Sequence, residues 1–356
     1  MPTMRLIMDY QNRDTLTARL LKWGYPILLS NRVDPFAASN YRQALPLIEM
    51  LSALGIPLQF QTRGGLGVND ALSFIEPSVF YVSFVVLKEA QRAIIEPGAT
   101  KLNERLDMVG ALIDAGHEVI VGLNPAVPEW SPDPGPLLVE LKRLGVHGVW
   151  IERIHFNYLQ ERAMKPGEKL AIGQAIIDRG RKRYTPKLDF DHFMKCRDLA
   201  RVAGLEVFSL GQSEPTDFFT PYRKLYSKTF PIYPDFINAL ALGGYGPGDP
   251  ITLNQFATFM TDQLPEGEQP IAHYLGATSR DLFRRRKIPH NMSYRDLLEI
   301  IWTEPKTKFS LVRSPAFAYA ARRAGDGWIM WTDADDLPLL VYNEAGFTDY
   351  FQEVEL

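Results

Sequence analysis

An α/β domain of parallel βα units followed by a mixed α+β segment is the fold class this sequence predicts, on three observations. From Tyr25 to about Gln212, short apolar runs alternate with helical stretches, the pattern of parallel strands joined by crossover helices. Four of those helices close on a glycine just before the next apolar run (Gly55, Gly116, Gly145 and Gly204), where a left-handed C-cap costs glycine little. Beyond about Pro215 the rhythm stops and the composition changes. The expected segments are therefore 1–24 (an N-terminal remnant helix), 25–215 (the βα domain) and 216–356 (the α+β domain).

The strands are expected at 26–30, 57–62, 79–84, 118–123, 148–152 and 206–210. Most are continuous apolar runs, as strands covered on both faces require. Helices fit 41–54, 67–75, 102–115, 137–144 and 190–203, and residues 14–23 also look helical. Six strands with right-handed crossovers can curl into a partial barrel or lie flat as a doubly wound sheet, and periodicity does not separate the two. In the last segment, 243–248 (Gly-Gly-Tyr-Gly-Pro-Gly) reads as an exposed turn. Helices follow at 253–263 and 294–302, with Thr252 and Ser293 as N-caps. Residues 328–331 and 337–342 read as a hairpin around the acidic loop 333–336.

Composition excludes several classes. With 356 residues and 46% hydrophobic content the chain has ample material for a packed core. Lys and Arg number 39 against 42 Asp and Glu, so the net charge of -3 gives no global attraction to a polyanion. Cys196 is the single cysteine, which rules out an internal disulfide and a cysteine-rich metal site within this chain, and it reads as a packed thiol on a helix. There is no run of about 18 apolar residues. A cytoplasmic location is the default expectation, with no membrane partner. No pair of histidines or cysteines has zinc-ligand spacing, and no Gly-x-Ser-x-Gly elbow is present. The stretch Gly64-Gly65-Leu66-Gly67 is neither a P-loop nor a complete dinucleotide fingerprint.

In parallel α/β domains ligands bind at the carboxyl ends of the strands. Those ends are polar here: Ser30-Asn31-Arg32-Val33-Asp34 after the first, Gln61-Thr62-Arg63 after the second, Ser83 at the third, Asn124-Pro125 at the fourth and Glu152-Arg153-Ile154-His155 at the fifth. Arg63 offers a guanidinium for a carboxylate, Asn31 and Asn124 offer amides, Ser30 and Ser83 hydroxyls, and Asp34 and Glu152 carboxylates for an amine. Asp34, Asn124 and the Gly64-Gly65 pair also suit turns and caps, a structural reading that stands beside the binding one.

Six phrases, in order and spacing, resemble the radical S-adenosylmethionine (SAM) core of the spore photoproduct lyase-like and DNA-repair-photolyase-like group. They are Ser30-Asn31-Arg32-Val33-Asp34-Pro35-Phe36, Gln61-Thr62-Arg63, Tyr81-Val82-Ser83-Phe84, Ile95-Glu96-Pro97-Gly98-Ala99, Glu104-Arg105-Leu106 and Gly122-Leu123-Asn124-Pro125-Ala126-Val127-Pro128. The resemblance runs over about 25–155. It implies a partial (βα)6 TIM-like barrel of radical SAM type with its first βα unit missing, carrying SAM across the strand tops, plus the C-terminal α+β domain. Arg63 then corresponds to the residue that grips the SAM methionine carboxylate, Ser30 and Asn31 fall at the amino-acid end, and Ser83 and Asn124 at ribose and adenine. Glu96 with Arg105 reads as a structural ion pair.

The family activity is SAM cleavage to a 5′-deoxyadenosyl radical and hydrogen abstraction from substrate, driven by a 4Fe-4S cluster on three thiolates. The Cys-x3-Cys-x2-Cys loop that holds that cluster is absent from this chain, so the cluster is expected on an N-terminal segment or a second chain, as in a fragment or split enzyme. A relative kept for binding without a cluster is the third option, and would need the strand at 26–30 covered at its edge, with Met4–Met8 the segment to do so. The alternative function is a non-catalytic nucleic-acid-binding or scaffold protein. The basic clusters 179–184 and 284–287, each with a neighbouring aromatic, are its sequence support.

Overall fold

A computed structural model describes residues 2–29, 33–65, 67–153, 165–167, 187–208, 220–226, 233–262, 293–303, 311–313, 317–342 and 350–355. It divides into two compact units. The first is Met1–Arg181, Thr185–Ser209 and Phe218–Thr229; the second is Lys182–Tyr184, Leu210–Asp217 and Phe230–Leu356.

In the first unit the apolar runs form β1 (Ile27–Leu29), β2 (Leu58–Thr62), β3 (Val79–Ser83), β4 (Glu118–Ala126), β5 (Gly148–Arg153) and β6 (Glu206–Phe208). All pair in parallel, in the order β1-β2-β3-β4-β5-β6. This order decides what periodicity left open. A doubly wound sheet reverses direction at a switch point, whereas a monotonic order with crossovers of one hand puts every crossover helix on one face and leaves the other face concave. The helical face is the main core: Leu58, Phe60, Phe80, Val82, Val121 and Ile151 of the strands meet Ile48, Leu51, Val109, Leu112, Leu138 and Phe193 of the helices. On the opposite face a smaller cluster of Val79, Ile120, Trp150, Phe208 and Tyr226 forms a floor.

The first helices are α1 (Pro2–Met8), α2 (Leu16–Lys22), α3 (Tyr41–Ala53), α4 (Val68–Leu72), α5 (Glu89–Ile95) and α6 (Leu102–Asp114). They are followed by α7 (Gly135–Leu144), α8 (Lys187–Val202) and α9 (Thr220–Leu225). Cys196 of α8 is fully buried, the packed thiol expected of it. Met4–Met8 lies in α1, and its Leu6 and Ile7 pack on the main core.

The second unit contains α10 (Tyr233–Leu242), α11 (Leu253–Asp262), α12 (Tyr294–Thr303), β7 (Phe317–Ala324), β8 (Gly327–Met330), β9 (Leu340–Tyr342) and β10 (Phe351–Glu353). Thr252 and Ser293 cap their helices, each exchanging a reciprocal pair of hydrogen bonds with the residue three further on, Gln255 and Asp296. The expected hairpin is redrawn. β8 pairs with β7 across a tight turn and β9 pairs with β7 as well, while the 333–336 loop is closed by a Thr332–Pro338 bridge. β7 opens as an unbroken apolar and small-residue run without alternation, which hid it from a period-2 reading.

Candidate functional site

Alternation along the strands sorts the residues of the concave face. On β2 the odd positions Gln59 and Gln61 lie opposite the buried Leu58 and Phe60, so Arg63 comes off the same side just past the strand end. On β3 the concave set is Val79, Tyr81 and Ser83; on β4 it is Ile120, Gly122 and Asn124; on β5 it is Trp150 and Glu152. Apolar residues occupy the amino-terminal half of this face and polar ones the carboxyl-terminal half.

Four groups converge there. The Tyr81 phenol lies beside the Asn124 amide, which favours its ionised form, and within reach of the charges of Glu152 and Arg63. Burial pushes the Tyr81 pKa up, so the phenol stays protonated; the Asn124 amide opposes this, Glu152 adds to it and Arg63 opposes it. The ring lies over Gly122: a Cβ placed there would sit 1.9 Å from the Tyr81 hydroxyl oxygen and 2.2 Å from the ring carbon that bears it. Gly122 is thus required by the close passage of a neighbouring side chain. Gly122 pairs with Ser83 on one side and Trp150 on the other.

Arg63 is 57% exposed, with its Nε 3.3 Å from Glu96 Oε1. Glu96 is 2% exposed and also faces Arg105, which is fully buried, at 3.4 Å. Arg105 is committed elsewhere too: Nη1 donates to the Ser83 carbonyl at 2.6 Å and Nη2 to the Thr100 carbonyl at 2.7 Å. Burial pulls the Arg105 pKa down, and the Glu96 carboxylate opposes that loss. Glu96 and Arg105 form the structural pair expected of them, and Glu96 additionally anchors Arg63, which the sequence did not suggest.

Asp34 is a clasp. Its Oδ1 accepts the Phe36 N–H at 2.9 Å, its Oδ2 accepts the Arg63 N–H at 2.8 Å, and the Thr62 hydroxyl donates to the carboxylate at 2.9 Å. It therefore ties the segment after β1 to the end of β2 and sets the backbone from which the Arg63 side chain leaves. Gly65, two residues on, runs so near the Phe36 carbonyl that a Cβ would lie 1.6 Å from its oxygen. The glycines after β2 thus serve chain packing.

Of the seven residues the sequence singled out, Arg63, Ser83, Asn124 and Glu152 come to one end of one face, and Asp34 supports it from beneath. Ser30 and Asn31 lie outside the described residues, as do His155 and the basic clusters 179–184 and 284–287. Tyr81 was missed as a site residue. Its signal was a tyrosine two positions before Ser83 on a strand whose neighbour carries a glycine.

The residues do not fit an iron–sulfur cluster. Cys196 is sealed in the main core with its thiol pushed up to about 12 by burial, and no group of three His, Cys, Asp or Glu side chains gathers as metal ligands among the described residues. Arg63 offers an exposed guanidinium that could take a carboxylate, with the Asn124 amide and the Glu152 carboxylate nearby. The side-chain-free space over Gly122 already holds Tyr81.

No family model matches the chain. It is 24% identical over 183 residues to the uncharacterized protein ORF301 of Acidianus two-tailed virus, a match covering 48% of this chain and 61% of that protein. The chain thus spans about three-fifths of the length of this curated relative. Among solved structures, a spore photoproduct lyase double mutant with bound AdoMet and dinucleoside spore photoproduct overlaps 49% of this chain and 56% of its own, with 16% identity and a TM-score of 0.35. Spore photoproduct lyase complexed with dinucleoside spore photoproduct overlaps 45% and 51%, with 18% identity and a TM-score of 0.31. Overlap this loose assigns no role to any residue. Among the described residues, no helix is long and apolar enough to cross a membrane.

Proposed function

We propose that the polar end of the concave face binds S-adenosylmethionine, and that the chain is the SAM-binding part of a radical SAM-type enzyme. The observation that carries the reading is the convergence of Arg63, Asn124, Glu152 and the Tyr81 phenol over an apolar floor at the strand tops. Arg63 holds the methionine carboxylate, Glu152 faces the amine, and Asn124 with Ser83 reaches the ribose and purine. Asp34 and Glu96 position Arg63 through its backbone and its Nε. SAM, when bound, would be the source of the radical chemistry that this reading implies; the cluster such chemistry needs has no ligands among the described residues, so a partner segment or chain that would carry it is part of the proposal. The residues here bind and orient SAM, and the apolar floor keeps water from beneath it.

Calorimetric titration of SAM into the protein tests this. Binding is expected, weakened about 10- to 100-fold in Arg63→Ala, the worth of a charge-assisted hydrogen bond. A wild-type protein that takes up no SAM, or an Arg63→Ala variant that binds it as well as wild type, overturns the reading.

A further inference from the structure

Glycine is a poor choice for the middle of a central strand, where it weakens packing and costs backbone entropy. β4 nonetheless carries Gly122 among Val119, Ile120, Val121 and Leu123. The missing side chain leaves a recess on the concave face at the level where Ser83 and Trp150 flank it. What fills the recess is Tyr81. It starts one layer lower, opposite Ile120, and leans diagonally toward the strand ends until its hydroxyl stands over Gly122. Two features distinguish this from ordinary core filling. The group has a polar tip rather than being a phenylalanine, and the tip stands over Gly122 beside Asn124, the amide a ligand would meet at the strand tops. Tyr81 also keeps some solvent exposure as a residue, whereas the floor residues Val79, Ile120 and Phe208 are buried.

We propose that Tyr81 is a shutter over the nucleoside end of the site, latched by Asn124, so that a purine nucleoside gains the Gly122 recess only when the ring swings away. The shutter makes the site selective: a ligand held at Arg63 by its carboxylate is admitted first, and its planar base competes with Tyr81 for Asn124 and for the recess. Tyr81 is thus a specificity-determining residue, and the proposal rests on the reading of this face as a SAM site.

Its test separates the two halves of the ligand. 5′-Deoxyadenosine and L-methionine are titrated calorimetrically and separately into the full chain, as wild type, Tyr81→Phe and Tyr81→Ala. Removing the ring is expected to tighten 5′-deoxyadenosine binding about tenfold or more, and removing only the latch a few-fold, with methionine affinity unchanged. Tyr81→Phe keeps the ring volume, so the question survives should Tyr81→Ala fold poorly. Nucleoside affinity that stays level or falls in the folded variants overturns the shutter, whatever methionine does. If the nucleoside gain appears while SAM binding in wild type is indifferent to Arg63→Ala, the shutter stands and the SAM reading fails. If no variant binds either half, both fall.

Discussion

At the scale of single residues, burial decides what each polar group can do. His117 follows a helix-closing glycine and reads from sequence as a cap or surface residue. It is in fact 4% exposed, and its Nδ1 accepts the Ser78 N–H at 3.0 Å. Burial pushes its pKa down from 6.5 to about 4. The folded protein therefore holds a neutral imidazole where the unfolded chain would take up a proton. Stability from this residue is fully present above pH 6.5 and is lost as pH falls from 6.5 toward 4, by about 3 kcal/mol in all. Urea denaturation of wild type between pH 7 and 4.5 should show that slope, and His117→Leu should flatten it whatever the variant's absolute stability. The same logic separates the arginines. Arg105 has no solvent and spends its donors on carbonyls and Glu96, whereas Arg63, sharing the same carboxylate, keeps more than half its surface in water and remains available to a ligand.

At the scale of elements, local signals were dependable where the chemistry is local. Thr252 and Ser293 stand where an N-cap must, because the partner groups are three residues away on the same chain. Thr252 Oγ1 accepts the Gln255 N–H at 3.2 Å, and Gln255 Oε1 accepts the Thr252 N–H at 2.8 Å. Thr252→Ala should lower stability by about 1 kcal/mol and Thr252→Ser should be close to neutral, read from thermal or urea melts of the full chain. Elements whose apolar pattern lacks a clear period were harder. α5 has no buried residue on its seven, so no apolar stripe announced it. β7 went unread, because its opening run of apolar and small residues does not alternate.

At the scale of the molecule, long-range contacts set the floor on which the site stands. Tyr226, just past α9, lies under the concave face of the first unit, accepts the Val79 N–H at 2.7 Å and donates to the Leu58 carbonyl at 2.5 Å. One side chain thereby joins β2 and β3 at their amino-terminal ends and completes the apolar cluster with Trp150 and Phe208. Tyr226→Phe keeps the ring but leaves the buried Val79 N–H without that partner. A loss of about 1–3 kcal/mol in urea denaturation is expected, where an exposed tyrosine would cost almost nothing.

Read from its residues, the chain already carried the parallel βα rhythm, five strand ends rich in polar groups, and the choice of Arg63, Ser83, Asn124 and Glu152. Each of these follows from period and turn chemistry within a dozen positions. Tertiary structure decided the rest. The monotonic strand order made the sheet concave, Asp34 became a clasp because Thr62 and the Arg63 N–H reach it from another strand end, and Glu96 came to lie between two arginines. Tyr81 filled the recess at Gly122, a diagonal contact between strands 41 positions apart in sequence. Such contacts depend on the lateral register of strands, which hydrogen bonding and core packing set across the sheet and which no local window of sequence encodes.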